Sequence, residues 1–250
     1  MDIRALRILS SIPTNTIDTT SNKLIGMGSG CFVKYDKFTL FLTVYHTIDK
    51  DNNHLTTGIV SDFNADKGVK LLPLTLIPPI ITGNIKSSEM EIVDFAYQKM
   101  LQMPKCYYFD VDGMGNLKNK IERIKLITNF TDVPSKTEDY GFAGYIYGDI
   151  TQNPNVGAKF QDILNQELGY YDGLKYEQSV DDYHIFSLPN NDYEKESFMG
   201  TSGAPILDSK GKLVALVSRG KLSADGAKWI IKGINLSKYK TILDIECGLI

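Results

Sequence analysis

The stretch Gly200-Thr201-Ser202-Gly203-Ala204-Pro205 sets a serine between two glycines and closes with a proline. Glycine reaches backbone conformations that a Cβ forbids. Such a turn can aim two N–H groups at one point beside the serine oxygen. Negative charge grows at that point when a serine attacks a carbonyl. The stretch therefore reads as a nucleophile loop, and the rest of the chain is read for the groups that a nucleophilic serine needs.

A serine hydroxyl is a weak nucleophile at its own pKa. It needs a base, and the base needs an orienting group. The chain has three histidines. His46 directly follows the strand-like run Phe38-Thr39-Leu40-Phe41-Leu42-Thr43-Val44, a rigid place to hold a base. His54 falls in the polar turn Asp51-Asn52-Asn53-His54, and His184 falls inside a strand pattern where a core or surface histidine is the plainer reading. His46 is the expected base. Asp94 sits in Glu91-Ile92-Val93-Asp94-Phe95-Ala96-Tyr97, a carboxylate among apolar residues. Buried, it is costly unless paired, and an imidazole N–H would pair it; the alternative is an edge-strand aspartate facing water. Asp62, Asp66, Asp110 and Asp112 lie in turn-like settings.

Composition narrows the function classes. The chain has 250 residues, 42% hydrophobic and 23% charged, with formal net charge −3. That suits one large domain or two half-domains with ample core. No basic stripe argues for nucleic acid. The basic cluster Lys118 to Lys125 reads as a solvated face. Cys31, Cys106 and Cys247 are odd in number and widely spaced, which is neither a disulfide framework nor a metal-ligand pattern. The N-terminal run is interrupted by charges, so it does not read as a signal peptide, and no run is long enough for a membrane helix. These features give the expectation of a cytoplasmic protein with reduced thiols, no cofactor, no nucleic-acid partner and no membrane.

The pattern is mostly strand. Short runs rich in Val, Ile, Phe, Tyr and Thr are separated by Gly, Asn and Asp clusters. Expected strands are 31–35, 38–44, 69–77, 92–97, 105–109, 121–127, 140–147, 183–188, 205–207, 213–217 and 229–235. The turn Asp208-Ser209-Lys210-Gly211 reads as a hairpin. A short helix is expected over 160–168 and a better one over 236–246, with Ser237 as its N-cap. The class is all-β: packed barrels with a C-terminal α-helix.

Taken together, the residues resemble the chymotrypsin-like (trypsin-like) serine protease family. Leu42-Thr43-Val44-Tyr45-His46 resembles the family's histidine motif, with Val44 where alanine is usual. Asp94-Phe95-Ala96-Tyr97 resembles its aspartate motif, and Gly200 to Pro205 its serine motif, with Ala204 where a third glycine is common. Val217-Ser218-Arg219-Gly220 resembles the strand that pairs with bound peptide, with Arg219 where an aromatic is frequent. Gly28-Ser29-Gly30-Cys31-Phe32 resembles the opening strand. The order His, Asp, Ser matches, and the resemblance spans roughly 26–235. An α/β-hydrolase would place its histidine after the serine, and none follows Ser202. A subtilisin-like enzyme would run Asp, His, Ser.

The resemblance implies a fold of two packed six-stranded Greek-key β-barrels, over about 20–115 and 116–235, with a helical tail over 236–250. It implies Ser202 as nucleophile, His46 as general base and acid, and Asp94 as orienting carboxylate. It implies the N–H groups of Gly200 and Ser202 as oxyanion hole, Ser218 as support for Asp94, and Ser218 and Gly220 as substrate-binding backbone. Glu196 falls where the family places the floor of the specificity pocket. A carboxylate there would favour Lys or Arg, unless Asp192 to Glu196 is a solvated acidic loop. Asp182 and His184 are further pocket candidates. Secreted trypsins carry an aspartate where Thr201 stands and a cysteine after the histidine; both are absent. Both departures fit an intracellular enzyme of the stand-alone type found in bacteria and viruses, and the composition tilts to bacteria.

The expected partner is a protein or peptide substrate. A regulatory protein that gates the enzyme, as in bacterial defence systems, is a fold-level analogy. The rival reading is a non-catalytic peptide-binding module on the same fold. The segment Asp110 to Asn116 puts Met114 at the fifth position of a calcium-loop pattern and Ile121 at the twelfth, so it reads as a hairpin turn. Tyr140, Phe142, Tyr145 and Tyr147 read as barrel core.

Overall fold

The computed structural model describes residues 1–21, 23–47, 55–64, 68–76, 81–82, 91–92, 94–111, 117–146, 167–188 and 193–250. His54, Asp66, Asp112, Tyr147 and Asp192 lie outside them, as do residues 160–166 of the shorter expected helix.

A short helix α1 (Ile3–Ser10) opens the chain. The N-terminal half contains β1 (Ile12–Asp18), β2 (Lys23–Tyr35), β3 (Phe38–Thr43), β4 (Leu55–Asn64), β5 (Gly68–Pro73), β6 (Ile81–Thr82), β7 (Glu91–Ile92), β8 (Ala96–Met100), β9 (Tyr107–Val111), β10 (Leu117–Glu122) and β11 (Leu126–Ile127). One sheet runs β5-β4-β1-β2-β3-β8, and β11 adds to β2 in parallel. β6–β7 and β9–β10 form separate ribbons. The long β2 pairs with β1 through Gly30 and with β3 from Cys31 onward, so one strand serves two ladders and the sheet curls at that junction.

The C-terminal half contains β12 (Asp139–Ile146), β13 (Glu167–Val180), β14 (Tyr183–Leu188), β15 (Pro205–Asp208), β16 (Leu213–Leu222) and β17 (Trp229–Asn235). These close into a barrel in the order β12-β13-β14-β17-β16-β15. A 3₁₀ turn over Leu236–Tyr239 leads into α2 (Lys240–Cys247).

The expected two-barrel arrangement is present, with the two halves unequally closed among the described residues. The C-terminal barrel is closed, whereas the N-terminal sheet has seven strands and curls only part-way. Its ladder ends at β5 on one side and β8 on the other among the described residues. The sheet also takes in residues 12–18 and 126–127, outside the expected 20–115. The expected tail helix is present as that 3₁₀ turn followed by α2, and Asn235 rather than Ser237 caps the turn. The Asn235 carboxamide oxygen accepts from both the N–H and the hydroxyl of Ser237. Residues 167–168, expected to end a helix, lie in β13.

Apolar residues on alternate strand positions build two cores that matter for the site. Phe142, Tyr171, Phe186, Ile206 and Ile231 fill the closed barrel. Leu42, Val44, Phe95, Leu216, Ile234 and Tyr239 join the curled sheet, the barrel and the C-terminal segment in one continuous core. Burial of such side chains is worth roughly 1.5–3 kcal/mol each. That core fixes the two halves against each other. All three cysteines are buried free thiols. Arg123, read as part of a solvated basic face, is instead buried and donates to the carbonyls of Ile8 and Ser11 at 2.8 and 2.7 Å. No described helix is long and apolar enough to cross a membrane.

Candidate active site

Three loops meet where the halves face each other. β3 ends at Thr43, and Val44, fully buried, anchors the 3₁₀ turn Tyr45–Thr47 that carries His46. The Thr47 hydroxyl closes that turn on the Val44 carbonyl at 2.6 Å. Asp94 directly precedes the buried Phe95 and Ala96 at the start of β8. β3 and β8 pair antiparallel with Thr43 opposite Ala96, so His46 and Asp94 emerge at the same edge of the sheet.

The side chains form a continuous chain of hydrogen bonds. His46 Nδ1 lies 2.9 Å from each Asp94 carboxylate oxygen. The His46 backbone N–H donates to Asp94 Oδ1 at 2.9 Å. His46 Nε2 lies 3.0 Å from Ser202 Oγ. Ser218 Oγ–H donates to Asp94 Oδ2 at 2.6 Å. Burial acts to raise the Asp94 pKa, but the hydrogen bond and charge of His46 and the Ser218 hydroxyl outweigh it. The carboxyl is held below the usual aspartate range and stays ionised. An ionised Asp94 leaves Nδ1 as the protonated nitrogen and Nε2 as the acceptor. Ser202 Oγ–H has two acceptors in reach, Nε2 and the Ser218 carbonyl at 3.1 Å. One proton serves one of them at a time.

The loop that carries Ser202 is built by backbone geometry. Met199 has φ −69° and ψ 123°. Gly200 follows with φ +91°. Thr201 N–H closes on the Phe198 carbonyl at 3.2 Å. This is a type II turn, whose third position favours glycine. Gly203 has φ +92°, and a Cβ there would stand 1.9 Å from the Ser29 carbonyl oxygen. The N–H groups of Gly200 and Ser202 donate to no acceptor among the described residues. Thr201 is buried, and its hydroxyl donates to the Phe198 carbonyl at 2.9 Å.

Ser29 is a site residue whose role the sequence did not disclose. Its N–H donates to the Ser202 carbonyl at 2.7 Å. Its hydroxyl donates to the Gly200 carbonyl at 3.1 Å and accepts from the Tyr145 N–H at 3.1 Å. One buried serine of the curled sheet thus holds both ends of the loop carried by the barrel. The only local hint is its place between Gly28 and Gly30.

Ser218 and Gly220 lie in β16 beyond Leu216, the last residue that β15 pairs. From Ser218 onward β16 has β17 on one side and no strand on the other among the described residues. That open edge runs past Ser202. Glu196 sits exposed on the 3₁₀ turn Lys195–Phe198. It does not line the cavity of about 400 Å³ that opens beside Ser202. Asp182 pairs with Lys238 at 3.2 Å, and His184 is buried in β14 with Nδ1 2.8 Å from Ser179 Oγ; neither lines that cavity. No group of side chains among the described residues is arranged to hold a metal ion.

A closed six-stranded barrel, a curled sheet packed against it, a helical C-terminus and a cleft between the halves define the architecture. This architecture is consistent with a trypsin-like two-barrel fold. No protein-family model matches the chain, and no curated protein matches it in sequence. Many solved structures are similar, two of them as follows. A serine endoprotease from Yersinia pestis aligns with TM-score 0.49 and 13% identity over 97% of this chain and 64% of that chain. The chain thus spans less than two thirds of that structure's length. An HL collagenase structure aligns with TM-score 0.48 and 12% identity over 96% of this chain and 94% of that chain.

Proposed function

We propose that this chain is a serine endopeptidase that cuts protein or peptide chains through an acyl-enzyme. The observation that carries the reading is the unbroken sequence of contacts from Asp94 through His46 to Ser202. In the proposed reaction Nε2 takes the Ser202 proton as Oγ bonds to the scissile carbonyl carbon. The carbonyl oxygen becomes an oxyanion, stabilised by the N–H groups of Gly200 and Ser202. Asp94 stabilises the imidazolium and keeps its orientation. The imidazolium then gives its proton to the leaving amine, and the carbon–nitrogen bond breaks. Water, deprotonated by the same Nε2, attacks the ester and frees Ser202.

The open edge of β16 supports substrate binding by strand addition at Ser218 and Gly220. The contacts from Asp94 through His46 to Ser202 are all made within the chain, so the isolated chain is expected to act on unstructured protein. A fluorophosphonate probe tests the reading. Labelling that disappears in Ser202→Ala supports it. Absence of labelling in the native chain overturns it and leaves a peptide-binding module.

A further inference from the structure

The cavity of about 400 Å³ beside Ser202 is asymmetric. His46, Gly200 and Ser202 form one wall, and Ile25, Met27 and Met199 supply the apolar side chains. No residue of β16 lines it. The chemistry orients this asymmetry. His46 Nε2 must protonate the leaving amine, so the leaving half of a substrate lies on the His46 side of Ser202. The acyl half lies along β16. The recess is therefore on the leaving-group side.

Two further observations bear on selection. On the acyl side, the space beneath Gly220 is filled. A Cβ on Gly220 would stand 3.0 Å from Phe198 Cγ. Phe198 is itself buried, stacked on Tyr171 at 4.9 Å and 4.7 Å from Trp229. On the leaving-group side, Ile25 and Met199 are 44% and 46% exposed, apolar surface standing open beside a reactive serine. Among the described residues, the recess is lined by no ionisable side chain other than His46. Its threonines are engaged internally: Thr16 Oγ1 lies 3.0 Å from Thr57 Oγ1, and Thr47 Oγ1 donates to the Val44 carbonyl. A charged substrate side chain would lose water there without gaining a partner. A leucine, methionine or phenylalanine would gain the burial of its side chain.

We propose that this chain selects substrates mainly through the residue directly after the scissile bond, which must be apolar and enters the recess between Ile25, Met27 and Met199. The proposal rests on the endopeptidase reading above and names its substrate class.

The test uses internally quenched peptides identical except for the residue following the cut, with Leu, Phe, Met, Ala, Lys or Asp there. The native chain is expected to show kcat/KM about tenfold or more higher for Leu, Phe and Met than for Lys and Asp. In Ile25→Lys, the ratio of Leu to Asp cleavage is expected to fall by about tenfold, a ratio that does not depend on overall activity. A native chain that labels with fluorophosphonate and cuts all six peptides within about threefold overturns this inference and leaves the endopeptidase reading standing. An Ile25→Lys ratio equal to the native one also overturns it. A native chain that neither labels nor cuts any peptide overturns both.

Discussion

Thr43 of β3 stands opposite Ala96 of β8, and this one ladder pair brings His46 and Asp94 together from 48 residues apart. His46 and Asp94 lie three and two residues beyond the pair, on the same edge. Both are held by backbone that is itself buried, through Val44 on one side and Phe95 on the other. The imidazole orientation is thus a consequence of strand register.

That relationship makes Asp94→Asn informative. The carboxamide can keep the hydrogen-bond positions but carries no charge. It can also present its NH₂ to Nδ1 and favour the tautomer whose Nε2 bears the proton. Peptidase kcat is expected to fall by about 10³–10⁴ with little change in fold. Stopped assays on a quenched peptide, beside a circular dichroism spectrum, check this. A loss under tenfold would remove Asp94 from the mechanism.

Ser29→Ala addresses the seam between the halves. The variant removes the donor to the Gly200 carbonyl and leaves the Tyr145 N–H without its acceptor. A stability loss of about 1–3 kcal/mol follows from the unsatisfied buried donor. The Gly200 peptide also loses a restraint on its orientation, so kcat is expected to fall about tenfold with KM little changed. Ser29 acts here as a positioning residue. Equal kcat with lower stability would reduce it to a purely structural role.

What could be read in the sequence was what is local. The strand at Trp229–Asn235 and the strand at Tyr183–Leu188 have the expected bounds because each is a short run rich in aromatic and aliphatic residues. His46, Asp94 and Ser202 each carry their signal within a few neighbours. β13 escaped because Gly169, Asp172, Gly173, Lys175 and Glu177 break the apolar pattern of a strand whose outer face is solvated. Arg123 was misread because its partners, the carbonyls of residues 8 and 11 and the Tyr145 hydroxyl, are distant along the chain. Ser29 escaped for the same reason: its partners are main-chain groups of Gly200, Ser202 and Tyr145, distant along the chain.

Gly203→Ala tests the loop conformation. The new methyl would demand φ near +92° from alanine and stand 1.9 Å from the Ser29 carbonyl oxygen. Relief requires moving either β2 or the segment that carries Ser202. A destabilisation of about 3 kcal/mol or more is expected, with fluorophosphonate labelling abolished. Urea denaturation and the labelling rate check the two parts. Native-like values for both would mean that the loop has another conformation.

His184 gives a pH prediction. Burial pushes its imidazole from 6.5 down to about 4, a side-chain hydrogen bond to Asn235 acts against this, and the charge of Lys238 lowers it further. The native state holds it neutral where the unfolded chain binds a proton. Between pH 6.5 and 4 the unfolded state therefore carries more protons, and stability falls as pH falls through that window. Between pH 7.5 and pH 5 this one group should remove about 2 kcal/mol. Above pH 7 both states are neutral, so the contribution there is flat. In His184→Gln the urea midpoint should lose that part of its decline between pH 7.5 and pH 5. An unchanged pH slope in the variant would mean that His184 is protonated in the folded chain, in contradiction to its burial in β14.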